Sequence, residues 1–218
     1  MSDEKRDFDK EAALWDEDPA KVKLSNDIAA SILKHIKLTS DMNAMDFGCG
    51  TGLLTMHLQP VVHLVTGIDT SRGMLDILNA KIAKLKLSNI KTVLADLDNA
   101  RPLTGNYNLI ISNMTLHHIK EIKPVFDQFY RIMAPAGYLC IADLDLDDGQ
   151  FHPNNTGVFH FGFDRALMRE YFIDAGFNNV KDVSAAVMAR PTGNGVMREF
   201  TIFLMTGQKK MNKASGKR

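Results

Sequence analysis

Cysteine is scarce: Cys49 and Cys140 are the only two in 218 residues. Neither stands in a metal-ligand spacing, and two cannot build the framework of a disulfide-rich secreted domain. An excess of either charge is missing as well. Lys plus Arg and Asp plus Glu each count 26, for a net charge of +0. The electrostatic footprint of a nucleic-acid binder is therefore absent. No apolar run is long enough to span a bilayer. The first residues, Met1 to Asp7, are polar and mixed in charge, unlike a secretory leader. Together these absences predict a cytoplasmic chain with neither a membrane nor a nucleic acid as partner. The one local exception is 208–218, where Lys209, Lys210, Lys213, Lys217 and Arg218 predict a disordered basic tail.

What is present is an alternation of short apolar runs and amphipathic stretches. Phe8, Ala12 and Trp15 fall at helical spacing. Asp18-Pro19 is a cap followed by proline at the first helical position, and the helix it opens reaches about Ile36. These stretches make residues 1–38 a helical cap, with Trp15 placed either to pack or to cover a ligand. Strands are expected over Asn43–Phe47, Val61–Ile68, Ile90–Ala95, Tyr107–Ser112 and Tyr138–Asp143. Helices are expected from Leu53 to before Pro60, over Arg72–Leu85 and over Glu121–Met133. Near-continuous apolar strands at this spacing call for a parallel sheet with helices on both faces. Leu144–Phe163 then breaks the pattern, and its aromatics argue for an ordered, lid-like insertion. A helix follows from Asp164 to Ala175. Strands over Asn179–Val187 and Val196–Met205 have no helix between them, so they pair antiparallel at one edge.

Each expected parallel strand ends in a polar residue: Asp46, Asp69, Asp96, Asn113 and Asp143. Ligands of open α/β sheets bind at those carboxyl ends. Singly, such residues also serve as caps and turn formers; five in register form a constellation. After Asp46 come Gly48, Gly50 and Gly52, in a Gly-x-Gly-x-Gly spacing that matches neither a dinucleotide fold nor a P-loop. An acid at the mouth of such a loop suits an ammonium group better than a pyrophosphate. S-adenosylmethionine has that ammonium and no phosphate.

The segments Asp46–Gly52, Gly67–Ser71, Ala95–Leu97, Asn108–Asn113 and Leu139–Asp143 resemble those of the class I S-adenosylmethionine-dependent methyltransferases. Within that class the chain is most similar to small-molecule methyltransferases related to quinone-biosynthesis enzymes. Arg131–Gly137 resembles their Leu-x-Pro-Gly-Gly turn, with Ala136 in place of the first glycine. The resemblance covers about Asn43–Met205. It implies a Rossmann-like α/β fold, a seven-stranded mostly parallel sheet whose last strand is antiparallel, over 39–207. It also implies site roles. Asp46 meets the methionyl ammonium, while Gly48, Gly50 and Gly52 let the backbone lie against the ligand. Asp69 with Thr70 takes the ribose hydroxyls, Asp96 and Leu97 take the adenine, and Asn113 lines the methionyl side.

Methyl transfer is an in-line displacement whose activation the cofactor carries, so no catalytic residue is obligatory. His117 and His118, after the fourth strand, are candidate bases because an imidazole titrates near neutrality. His152 and His160 fall in the insertion. A metal site from these histidines and Asp143 lacks any motif spacing, so no metal is expected. Asp143–Gly149 fails as a calcium loop, with Asp148 at the sixth position and Asn154 at the twelfth. Trp15, Phe151, Phe159 and Phe161 suit an apolar or flat acceptor. The expected enzyme is a small-molecule methyltransferase, monomeric or homodimeric. The competing expectations are a nucleic-acid or protein methyltransferase, which the absence of an Asn-Pro-Pro-Tyr motif disfavours, and a non-catalytic cofactor-binding module.

Overall fold

The computed structural model describes residues 6–95, 102–193 and 195–211. Seven strands form one sheet: β1 (Asn43–Phe47), β2 (Leu64–Asp69), β3 (Ile90–Leu94), β4 (Tyr107–Asn113), β5 (Met133–Leu144), β6 (Asn178–Pro191) and β7 (Met197–Gln208). Their order is β3-β2-β1-β4-β5-β7-β6. The first five pair in parallel. β7 runs antiparallel to both of its neighbours, as expected for the last strand. It does not take the edge, however; it inserts between β5 and β6, and β6 becomes the edge.

The strands alternate their side chains between two cores, as the pleat requires. Ala44, Leu109, Ile111, Cys140 and Ile202 face one way, onto Leu24, Ile28 and Ile32 of α2 (Pro19–His35) and Leu54 and Leu58 of α3 (Leu53–Leu58). Met45, Phe47, Ile110, Leu139 and Phe203 face the other way. They meet Phe126 and Phe129 of one helix (Ile122–Ile132) and Phe172 of another (Arg165–Asp174). Phe47 and Phe129 meet edge to face, with centroids 4.9 Å apart. A further helix (Arg72–Leu85) sends Leu75 and Leu78 against Cys49. In chain order these last three are α4 (Arg72–Leu85), α5 (Ile122–Ile132) and α6 (Arg165–Asp174), and α1 is the short turn Phe8–Glu11. No helix among the described residues is long and apolar enough to cross a membrane.

Two segments cover the carboxyl ends of the sheet. The first is α1 with the 3-10 turn Ala12–Glu17. Asp9 accepts from the hydroxyl of Ser71 and from Gly73 N at 2.8 Å, adding acceptors at the N-terminus of α4. Asp16 pairs with Lys81 and accepts from the Thr51 hydroxyl. The Lys21 ammonium sits 3.6 Å over the Trp15 ring. The second is the stretch after β5. It is ordered by Asp147 N donating to Phe161 O at 2.8 Å and by the burial of Phe151, Val158 and Phe163.

Two boundaries depart from expectation for local reasons. A 3-10 turn at Gln59–Val61, led in by Pro60, delays β2 to Leu64. Gln208 and Lys209 belong to the domain rather than to a tail. Gln208 closes β7 opposite Tyr138, and Lys209 Nζ donates to the carbonyls of Tyr130 and Met133 at 2.7 and 2.8 Å. Residues 212–218, where the remainder of the expected tail falls, lie outside the described residues.

Ala136 occupies left-handed backbone, φ 60. That conformation strains a residue with a Cβ by about 1–2 kcal/mol, while glycine loses roughly 0.5–1 kcal/mol more entropy on folding. Ala136→Gly should therefore stabilise the chain by up to about 1 kcal/mol. A denaturant midpoint that rises at constant slope is the expected result, and a fall would show that the strain is relieved elsewhere.

Candidate active site

The glycine loop turns directly off β1. Gly48 N and Cys49 N both donate to Ile68 O of β2, at 2.8 and 3.0 Å, which bends the chain back over the sheet end. Gly48 has φ 74, and a Cβ there would lie 2.2 Å from Thr115 Oγ1. Gly50, at φ 54, has only Met74 Sδ near the same position, at 3.9 Å, so its backbone borders open space. That space is a cavity of about 850 Å³, within the range of small-molecule sites.

Three buried carboxylates stand at the strand ends. Asp69 Oδ2 accepts from Gly50 N at 2.7 Å and Oδ1 from Ser71 N at 2.8 Å, tying the loop to the start of α4. Burial raises its pKa, and these amides oppose the rise. Each oxygen keeps a second lone pair for a ligand hydroxyl. Asp46 is 1 % exposed and accepts from the Thr55 hydroxyl at 2.6 Å. Burial pushes its pKa up to about 7, against the pull of Thr55 and with a further push from Asp69. Nearby, Asn113 Oδ1 is buried with no hydrogen-bond partner among the described residues. An under-satisfied carboxylate and an orphaned carbonyl oxygen on one cavity wall fit an ammonium group.

Asp143 is fully buried and accepts from Leu116 N, Leu144 N and His117 Nδ1, at 3.0, 2.8 and 2.7 Å. His118 Nδ1 donates to Gly157 O at 2.7 Å. Burial holds the His118 pKa at about 3, which makes its ring a weak base at neutral pH. His152 Nε2 lies 3.2 Å from His117 Nε2. His160 turns away, with Nε2 2.9 Å from Ile119 O. Both cysteines are buried, and burial pushes both thiols up, away from the reactive thiolate.

Residues 22–182 match the family described as a methyltransferase domain. The chain belongs to this family. Its enzymes of this class depend on S-adenosylmethionine, and the residues at the loop and strand ends fit that cofactor. The chain is 32 % identical over 162 residues to an uncharacterised methyltransferase of Schizosaccharomyces pombe, covering 67 % of this chain and 57 % of the relative. It is 27 % identical over 147 residues to the arsenite methyltransferase of Halobacterium salinarum, covering 63 % of this chain and 37 % of the relative. The chain thus spans little more than half the length of the first of these. In fold it matches phosphoethanolamine N-methyltransferase 2 of Haemonchus contortus, solved with S-adenosylmethionine. The TM-score is 0.68 at 13 % identity, over 92 % of this chain and 60 % of that one.

The expected cofactor residues Asp46, Gly48, Gly50, Asp69, Thr70 and Asn113 all line the one cavity. Gly52, at φ 83, instead caps α3 with its Cα against Leu78. Asp96 and Leu97, assigned to the adenine, lie outside the described residues. Sequence reasoning missed three things. Asp69 secures the loop as well as lining the cavity, Asp143 orients His117, and Arg6 and Arg190 reach the cavity from distant parts of the chain. Asp69 and Asp143 had carried a signal, their places at strand ends, and Arg6 and Arg190 had none.

The Asp46 pKa sets a pH dependence. Below about 7 the free carboxyl holds a proton that an incoming ammonium must displace, so affinity for S-adenosylmethionine should fall by up to about tenfold per pH unit. Above about 7 it should level off. In the ligand-free protein the same burial costs stability as pH rises from 3.8 to about 7, because the folded state binds the proton more tightly than the unfolded one. Calorimetric titration across this range should show proton release on binding, and Asp46→Asn should flatten the curve. Asp69→Ala removes acceptors from two backbone amides and from the ligand. It should weaken cofactor binding by about 1.5–3 kcal/mol and lower stability as well. Unchanged affinity in that variant would remove the ribose assignment.

Proposed function

We propose that the chain transfers the sulfonium methyl of S-adenosylmethionine to a small molecule that carries a negative charge. The observation behind this is the second half of the cavity. Beyond Asp46 and Asn113 it is walled by Phe8, Trp15, Phe151 and Arg190, under the two covering segments. The Arg190 guanidinium lies 4.7 Å over the Phe151 ring, and burial lowers its pKa. No carboxylate among the described residues forms an ion pair with it, and Asp18 acts on it only at longer range. A desolvated cation without a close partner favours an anionic ligand.

When bound, the cofactor supplies a methyl already activated by its sulfonium charge. The chain's own residues do the rest. Asp46 and Asn113 hold the methionyl ammonium, and Asp69 holds the ribose. Trp15 and Phe8 close the site against water. Arg190 orients the acceptor for in-line approach, where correct placement alone lowers the barrier by several kcal/mol, of order 7–11 at best. The relatives named for arsenite and for phosphoethanolamine carry small acceptors in their names, which agrees with a small acceptor here.

The test is turnover. The purified chain, given methyl-labelled cofactor and pools of small carboxylic acids, phenols and phosphate esters, should release S-adenosylhomocysteine and label one class. Arg190→Gln should lower kcat/KM for that acceptor by tenfold or more, about 1.5–3 kcal/mol, and leave cofactor affinity unchanged. Cofactor binding without turnover on any small pool, or turnover on RNA or protein alone, would overturn the assignment.

A further inference from the structure

One nitrogen from each of His117, His118 and His152 lies within 4.8 Å of the other two. All three residues line the cavity. The Nε2 atoms of His117 and His152 are 3.2 Å apart. In a tetrahedral zinc site with bonds of 2.0–2.1 Å, neighbouring ligand nitrogens are about 3.3 Å apart. One edge of such a tetrahedron is therefore already present without an ion.

The hydrogen bonds of two of these rings also favour ligation through Nε2. His117 Nδ1 donates to Asp143, and His118 Nδ1 donates to the Gly157 carbonyl. Both rings carry their proton on Nδ1, which leaves Nε2 as the lone-pair atom. A histidine whose far nitrogen is fixed by a carboxylate or a carbonyl is the usual outer arrangement of a metal ligand.

We propose that His117, His118 and His152 hold one divalent transition-metal ion of the zinc type, with a fourth position open to the cavity. Imidazole ligands without thiolate or carboxylate select this class over calcium or magnesium. The ion replaces the base role expected of His117 and His118. An acceptor hydroxyl that binds in the fourth position gives up its proton to solvent and presents an oxygen anion for methylation. That use rests on the methyltransferase assignment; the metal site does not.

Two cations oppose the ion, Arg190 at longer range and Arg6 in contact with His152. Arg6 Nη1 lies 3.2 Å from His152 Nδ1, while Nε and Nη2 of the same guanidinium donate to Glu11 at 2.6 and 2.7 Å. Arg6 donates to Nδ1, so without metal His152 carries its proton on Nε2 and donates it to His117. Ligation moves that proton to Nδ1 and releases Arg6, which keeps its Glu11 partner. Asp143 supplies negative charge behind His117.

The untagged full chain, stripped with a chelator, should be titrated with cobalt(II) and followed by its ligand-field absorption, with zinc as competitor. One ion per chain with the intense bands of a four-coordinate site is expected. His118→Ala and His152→Ala should each weaken binding by about a hundredfold or more, exceeding what loss of an outer partner causes. His160→Ala should bind as the parent does. Cofactor affinity measured on the same samples reports whether each variant is folded. Absence of stoichiometric binding, or binding unchanged in folded His118→Ala and His152→Ala, overturns the site. Absorbance reads the ion directly, so a failed methyl-transfer assay leaves this result decided.

Discussion

Three carboxylates buried at the carboxyl ends of parallel strands set the terms for everything around them. Asp69 ends β2, Asp46 and Asp143 stand one residue before the ends of β1 and β5, and the three are 8 %, 1 % and 0 % exposed. A buried carboxylate must be met by donors or give up its charge. Asp143 is met fully, by two amides and an imidazole. Asp69 is met by two amides, one of which fixes the glycine loop. Asp46 receives one hydroxyl, and its pKa rises to about 7 in consequence. The sheet end thus satisfies Asp143 most fully, Asp69 in part and Asp46 least. The division follows from chain geometry, since each strand end faces a different loop.

The parallel core was legible because its strands are apolar runs with short punctuation between them. β1 coincides with its expected span, and β4 exceeds it by one residue. The order at the edge was not legible. Two strands joined without a helix predict an antiparallel pair, and nothing in their periodicity says which one pairs with β5. The strand-end residues were legible as a set, because a polar residue after an apolar run is a local signal. The contacts between distant segments were not. His152 is 35 residues from His117, and Asp9 is 62 residues from Ser71. Neither pair leaves a trace in spacing. Asp9 and Asp16 look like ordinary solvated acids in a helical turn, yet both join the covering segment to the body.

Ala136 shows a third kind of legibility. The resemblance calls for glycine in this turn, and the structure holds the alanine at φ 60. A departure from a family pattern became a statement about backbone strain. Asn179 and Lys86 hold the same left-handed conformation with no such warning. Lys86 ends α4, where its N–H reaches back to Ala83 O and Ile82 O, and a turn of this kind tolerates side chains other than glycine at a modest cost.

The cavity lining carries both signs of charge. Asp46, Asp69 and Asn113 line it beside the glycine loop, while Arg6, just before α1, Lys21 of α2 and Arg190 of β6 also line it. On the proposed assignment a cationic donor meets the acids beside the glycine loop and an anionic acceptor meets Arg190. Opposite charges brought together away from water attract far more strongly than in solvent, and methyl transfer then cancels both at once. The covering segment is tied by Asp9 to the start of α4 and by Asp16 to the loop at Thr51. Both tethers are attached to the elements that Asp69 secures. Order at the cofactor end is therefore transmitted to the walls of the acceptor end through three carboxylates, without any movement of the sheet. The same wall carries His152, held through Arg6 and Glu11 to α1. The histidine cluster and the closure of the site are in this way parts of one set of contacts, so that an ion taking His152 from Arg6 would change how the first residues sit over the acceptor.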